Sequence, residues 1–71
     1  MSDIIDAAHE LELSTMVLAT RAGVHMATAM RALRGEHVSE STKAKLTGAI
    51  REIASERRAS AERVLETLSA A

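Results

Sequence analysis

The stretch Ser-Thr-Met-Val-Leu-Ala-Thr-Arg-Ala-Gly-Val-His-Met-Ala-Thr-Ala-Met-Arg-Ala-Leu-Arg-Gly, residues 14 to 35, decides how the chain is read. Two short helical runs meet within it at Ala22-Gly23-Val24. Val17, Leu18 and Ala22 recur at helical spacing on the first run, and Val24, Ala29, Ala32 and Leu33 on the second, which predicts an apolar face on each. Gly23 stands where a tight turn between helices needs a positive φ, a conformation that costs glycine little. Ala19, four residues earlier, lies where the two helices would cross, and a larger side chain there would force them apart.

A small residue, three residues, a glycine and a branched apolar residue is the spacing of a helix-turn-helix, whose second helix enters the DNA major groove. Leu18-Ala19-Thr20-Arg21-Ala22-Gly23-Val24 is followed by Thr28, Arg31, Leu33 and Gly35, and then by Val38-Ser39-Glu40-Ser41-Thr42-Lys43. This series resembles the DNA-binding headpiece of lactose-repressor-type regulators and, more broadly, the Cro and lambda-repressor-like domains. The resemblance spans about residues 14 to 54 and implies an all-α, lambda-repressor-like helix-turn-helix fold of four to five helices.

Outward from this centre, residues 2–12 read as a first helix capped by Ser2 or Asp3, with Ile4, Ile5, Ala8 and Leu11 on one stripe. Lactose-repressor headpieces begin one helix later, so this element departs toward the Cro-like arrangement. Ser14 is a good N-cap for the second helix, with Leu13 and Leu18 spaced as a hydrophobic staple. The third helix is expected from about Met26 to Leu33, ended by Gly35 in the left-handed conformation. Ser39 caps a fourth helix with Leu46, Ile50, Ile53 and Ala54 facing the core. Gly48 inside it costs about 1 kcal/mol relative to alanine, so it marks either close packing or a weak point.

The helix-turn-helix domain is taken as residues 1–54 and a C-terminal helical segment as 55–71. Two readings of that segment stand: Ser60 caps a fifth helix, or the fourth continues unbroken. Val64, Leu65 and Leu68 form an apolar patch with no evident partner in the chain, and a homodimer built on it is the expectation. The Ile4, Ile5, Ala8 and Leu11 stripe is the alternative interface.

Seventy-one residues bury only about 60% of their extended surface, which leaves a lone monomer marginal. With no cysteine, neither a disulfide nor a thiolate metal site can add stability. The absence of proline and aromatic residues, with abundant alanine, favours helices throughout. No apolar run approaches membrane-spanning length and no basic leader opens the chain, so a cytoplasmic protein is expected.

The net charge of −1 argues against nucleic acid until its distribution is considered. Residues 1–14 carry −4 from Asp3, Asp6, Glu10 and Glu12, and residues 52–71 carry −1. Residues 15–51 carry +4, with Arg21, Arg31, Arg34, Lys43, Lys45 and Arg51 against Glu36 and Glu40. Screening over about 8 to 10 Å makes the local excess the relevant quantity near phosphates.

On a docked second helix of the motif, His25, Met26, Ala27, Met30, Arg31 and Arg34 occupy N-terminal or outward positions. Arg31 and Arg34 can pair with guanine, and Met26 and Ala27 can pack on thymine methyl groups. With Met30, these form the expected base-reading set. The resemblance implies base contacts at Met26, Ala27 and Arg31, and phosphate contacts near Ser14, Thr15, His25, Thr28 and Thr42. Lys43, like Lys45 and Arg51, fits either phosphate binding or ordinary solvation.

Catalysis finds little footing. His9, His25 and His37 are scattered, and no phosphate-binding glycine loop or cysteine nucleophile is present. No enzyme activity, metal, cofactor or small-molecule ligand is expected. The expected partners are double-stranded DNA and a second copy of the chain, and the expected function is repression from an inverted-repeat operator. The family resemblance implies a phage or mobile-element regulator. An antitoxin-like module, whose C-terminal segment holds another protein, is the alternative.

Overall fold

A computed structural model describes residues 3–70. The chain forms four helices: α1 (Asp3–Glu10), α2 (Thr15–Ala22), α3 (Met26–Leu33) and α4 (Glu40–Ala70). The architecture is all-α, and no helix among the described residues is long and apolar enough to cross a membrane. α2 packs against α3 and α4, and α1 closes the body against α4 and α3.

Each short helix is bounded by its local sequence. At the start of α2 the Ser14 hydroxyl oxygen accepts from the Val17 amide at 3.1 Å, as a capping serine should. Gly23 ends α2 at φ 70°, where the Val24 amide reaches back to the Ala19 carbonyl at 3.1 Å. Gly35 does the same after α3 at φ 83°, with the Glu36 amide donating to the Arg31 carbonyl at 3.0 Å. These are the left-handed terminations that glycine favours.

The end of α1 uses the same device without glycine. Glu12 takes φ 54°, and the Leu13 amide donates to the Ala8 carbonyl at 2.9 Å. The helix therefore closes at Glu10, short of the expected residue 12. Of the two expected caps, Ser2 lies outside the described residues and Asp3 is the first helical residue.

The core is built from small and aliphatic side chains. Leu18 and Leu46 are fully buried at its centre, surrounded by Ala8, Ala19, Ala29, Ala32, Val38, Ala49 and Ile50. Ile4, Leu11, Leu13, Ala22, Val24 and Leu33 pack around it half-buried. The expected inward faces hold with one correction. Val17 is 45% exposed, because Leu18 and its neighbour Ala19 supply the buried face of α2 and leave Val17 on the solvent side.

α4 continues unbroken through residue 70, so no fifth helix starts at Ser60. The reason is local: after Gly48 neither glycine nor proline interrupts it. Leu46, Ala49, Ile50 and Ile53 are buried and Ala54 is half-buried, but every described residue from Ser55 onward is exposed. Within residues 55–70, Glu56 and Arg57 still contact the body and the turns beyond them project from it, in a molecule 49 Å long and 17 Å across its narrowest axis. Gly48 is exposed, with nothing within 4 Å of where a Cβ would sit. Of its two expected readings, close packing is ruled out.

Candidate nucleic-acid interface

Burial of Ala29 and Ala32 fixes which way α3 faces. Packing these small residues inward turns Met26, Ala27, Met30 and Arg31 to the surface, with Met26 45% and Met30 39% exposed. Exposed methionines on a helix whose inner face is alanine are free to adapt to an apolar partner surface. His25 precedes α3 in extended conformation and offers no side-chain cap, while its carbonyl accepts from the Ala29 amide at 3.0 Å. Its imidazole is therefore uncommitted.

The expected contact residues divide into two groups. Thr28, Arg31 and Thr42 line one open cleft between α3 and the start of α4, together with His37, Val38 and Ser39. Within it, Arg31 Nη2 lies 3.5 Å from Thr28 Oγ1, which holds the guanidinium along the face of α3. Ser39 Oγ accepts from the Thr42 amide at 3.1 Å and donates to Thr42 Oγ1 at 2.9 Å, confirming Ser39 as the cap of α4. Ser14 and Thr15 stand apart at the N-terminus of α2, where the unpaired amides of a first turn favour an anion. His37 was missed in the sequence; only the folding of the 35–38 loop beside α3 brings it into the cleft.

Three cations of the motif are engaged elsewhere. Arg21 donates to Glu56 Oε1 at 3.2 Å and lies 3.4 Å from Glu52 Oε1, so α2 is tied to α4. Hydrogen bonding to Glu56 is the main cause that raises the Arg21 pKa above its ordinary value. Arg34 pairs with Glu36 at 3.7 Å, and Lys43 with Glu40 at 3.4 Å. Lys43 also lines a different groove, alongside Ile4, Gly35 and Glu36, so it does not join Thr28 and Thr42 in the cleft. Among the described residues Arg31, Lys45 and Arg51 form no ion pair.

Sequence spacing could not reveal the Arg21 contacts, since the partners lie 31 and 35 residues away. The same holds for Arg57, which donates from α4 to the Leu11 carbonyl in the connection between α1 and α2. At the far end of α4, Val64, Leu65 and Leu68 are 54%, 63% and 67% exposed and lie outside the core. Comparison of the chain with protein-family models, curated proteins and solved structures found no match.

Proposed function

We propose that the protein is a helix-turn-helix DNA-binding repressor, in which α3 enters the major groove and α2 lies across the backbone. The observation that carries this reading is the outward face of α3. It presents Met26, Ala27, Met30 and Arg31 in one exposed row beside the cleft lined by Thr28 and Thr42. A fork of guanidinium donors can pair with guanine O6 and N7, and the methionine and alanine side chains match thymine methyl groups. Arg34 is 61% exposed and only loosely paired with Glu36, so it can turn toward DNA. Ser14, Thr15, Thr28 and Thr42 supply hydroxyl donors for phosphates, His25 adds an imidazole, and Lys43 adds charge at the margin.

Binding to random duplex DNA should weaken steeply as salt is raised, because phosphate contacts release counterions. Selection from a random library should then yield a preferred site. Arg31→Ala should weaken binding to that site by about 1 to 3 kcal/mol and relax preference at one base pair. Equal losses on selected and random DNA would make Arg31 a phosphate contact instead.

A second reading, an antitoxin-like module that binds another protein, is favoured by the bare apolar end of α4. A mobility shift at two salt concentrations separates the two, since a purely protein-binding module gives no salt-dependent DNA complex.

A further inference from the structure

One apolar stripe runs the length of α4. Leu46, Ile50 and Ile53 begin it and are buried; Ala61, Val64, Leu65 and Leu68 continue it and are exposed. Arg57 lies in this stripe at the point where the body ends, and its guanidinium leaves the seam to reach the Leu11 carbonyl. Beside the stripe, Arg58 and Glu62 form an i, i+4 pair at 3.4 Å.

From these features we infer that the exposed half of α4 pairs with the same half of a second copy, in antiparallel orientation, crossing near Ala61. Charge decides the orientation. A parallel pair would set Arg57, which lies in the stripe itself, level with its own copy. An antiparallel pair sets Arg58 level with Val64 of the partner subunit and within a turn of Glu62 of the partner subunit, and the two-fold axis repeats the contact. Size agrees with charge: Ala61 at the crossing lets the backbones approach, and Leu68 of the partner subunit falls level with Ala54, where the body begins.

The interface is small. Val64, Leu65, Leu68 and the alanine and arginine stems around them would bury about 400 Å² per chain, below the size of a permanent dimer. Association should therefore be weak and concentration-dependent. The pairing stands without the DNA reading, but one consequence rests on it. Counting about 1.5 Å per residue from Ala61 back to Ile50 on each side separates the two bodies by about 33 Å. That is close to one turn of B-DNA, so an operator should carry inverted half-sites about 10 bp apart.

The natural chain has no cysteine, so single cysteines report the pairing directly. Under mild oxidation, full-length Ala61→Cys should convert mostly to a covalent dimer, whereas Leu68→Cys should not link to itself. Mixing Ala54→Cys with Leu68→Cys should give the mixed dimer. Ready self-linking of Leu68→Cys, which a parallel pair would show together with Ala61→Cys, would overturn the proposal. So would the absence of linking in all three samples, with the unmodified chain sedimenting as a monomer at hundreds of micromolar. None of these measurements involves DNA; a linked dimer that fails to shift any duplex would count against the DNA reading alone.

Discussion

The two halves of α4 share a helix and an apolar stripe, yet they have opposite surroundings. From Leu46 to Ile53 the stripe is buried against α1 and α2. From Ser55 onward each turn is helical and exposed. In the first half tertiary burial holds the helix; beyond the Glu56 and Arg57 contacts at the root of the second, propensity, local pairs such as Arg58–Glu62 and the continuity of the helix sustain it. Secondary structure and packing are thus separable here within one element. Apolar side chains left uncovered at the end of a stripe that is buried elsewhere are the basis of the pairing proposed above.

Truncating the buried half should have the largest effect. Leu46→Ala removes a fully buried side chain at the centre of the core and should cost about 2 to 5 kcal/mol. For a domain this small that leaves most molecules unfolded at 37 °C, as thermal circular dichroism would show. An unaltered melt would mean that the body does not depend on this half of the helix.

Exchanging glycine and alanine sharpens the contrast. Gly48→Ala adds a methyl group into open space within the anchored half and should stabilise by about 1 kcal/mol. Ala59→Gly makes the reverse change in the projecting half. If that half frays independently, the global unfolding midpoint should barely move while helical signal is lost at low temperature. A drop equal to the Gly48→Ala gain would show instead that α4 unfolds as one unit.

Polar substitution of the exposed stripe should have the smallest effect on the single chain. Leu65→Ser with Leu68→Ser alters two exposed side chains outside the core, so stability at low concentration should change by less than about 0.5 kcal/mol. The concentration dependence of the melting temperature, expected for a weak dimer, should vanish. Persistence of that dependence would place the interface elsewhere and overturn the pairing, and the Ile4, Ala8 and Leu11 stripe already packs into the core of the chain itself.

Legibility in the sequence followed the range of the interaction. Ser14, Gly23, Gly35 and Ser39 act on neighbours within a few residues, and their roles could be assigned from spacing alone. Glu12 could not, because a left-handed glutamate carries no glycine to announce it. Val17 was misassigned because the buried face of α2 is centred on Leu18 and Ala19, which helical spacing alone does not distinguish from one centred on Val17 and Leu18. The course of α4 past Ile53 stayed open because Arg57 and Arg58 read equally as a break or as a surface. The fold resolves it by giving Arg57 a carbonyl partner 46 residues back along the chain. For the candidate site, the outward row on α3 was legible from periodicity. The withdrawal of Arg21 into Glu52 and Glu56 was not.

The contacts of Arg21 and Arg57 also set the aim of the projecting helix. About sixteen residues at 1.5 Å each make a lever about 24 Å long, and a tilt of about 10° at its root would swing the tip by about 4 Å. Arg57 braces that root from the side of Leu11, and Arg21 braces it from α2 through Glu52 and Glu56. Two braces from different elements resist tilt in two directions, as paired stays steady a mast. In the pairing proposed above, the bearing between the two bodies would be set by these contacts made within each chain.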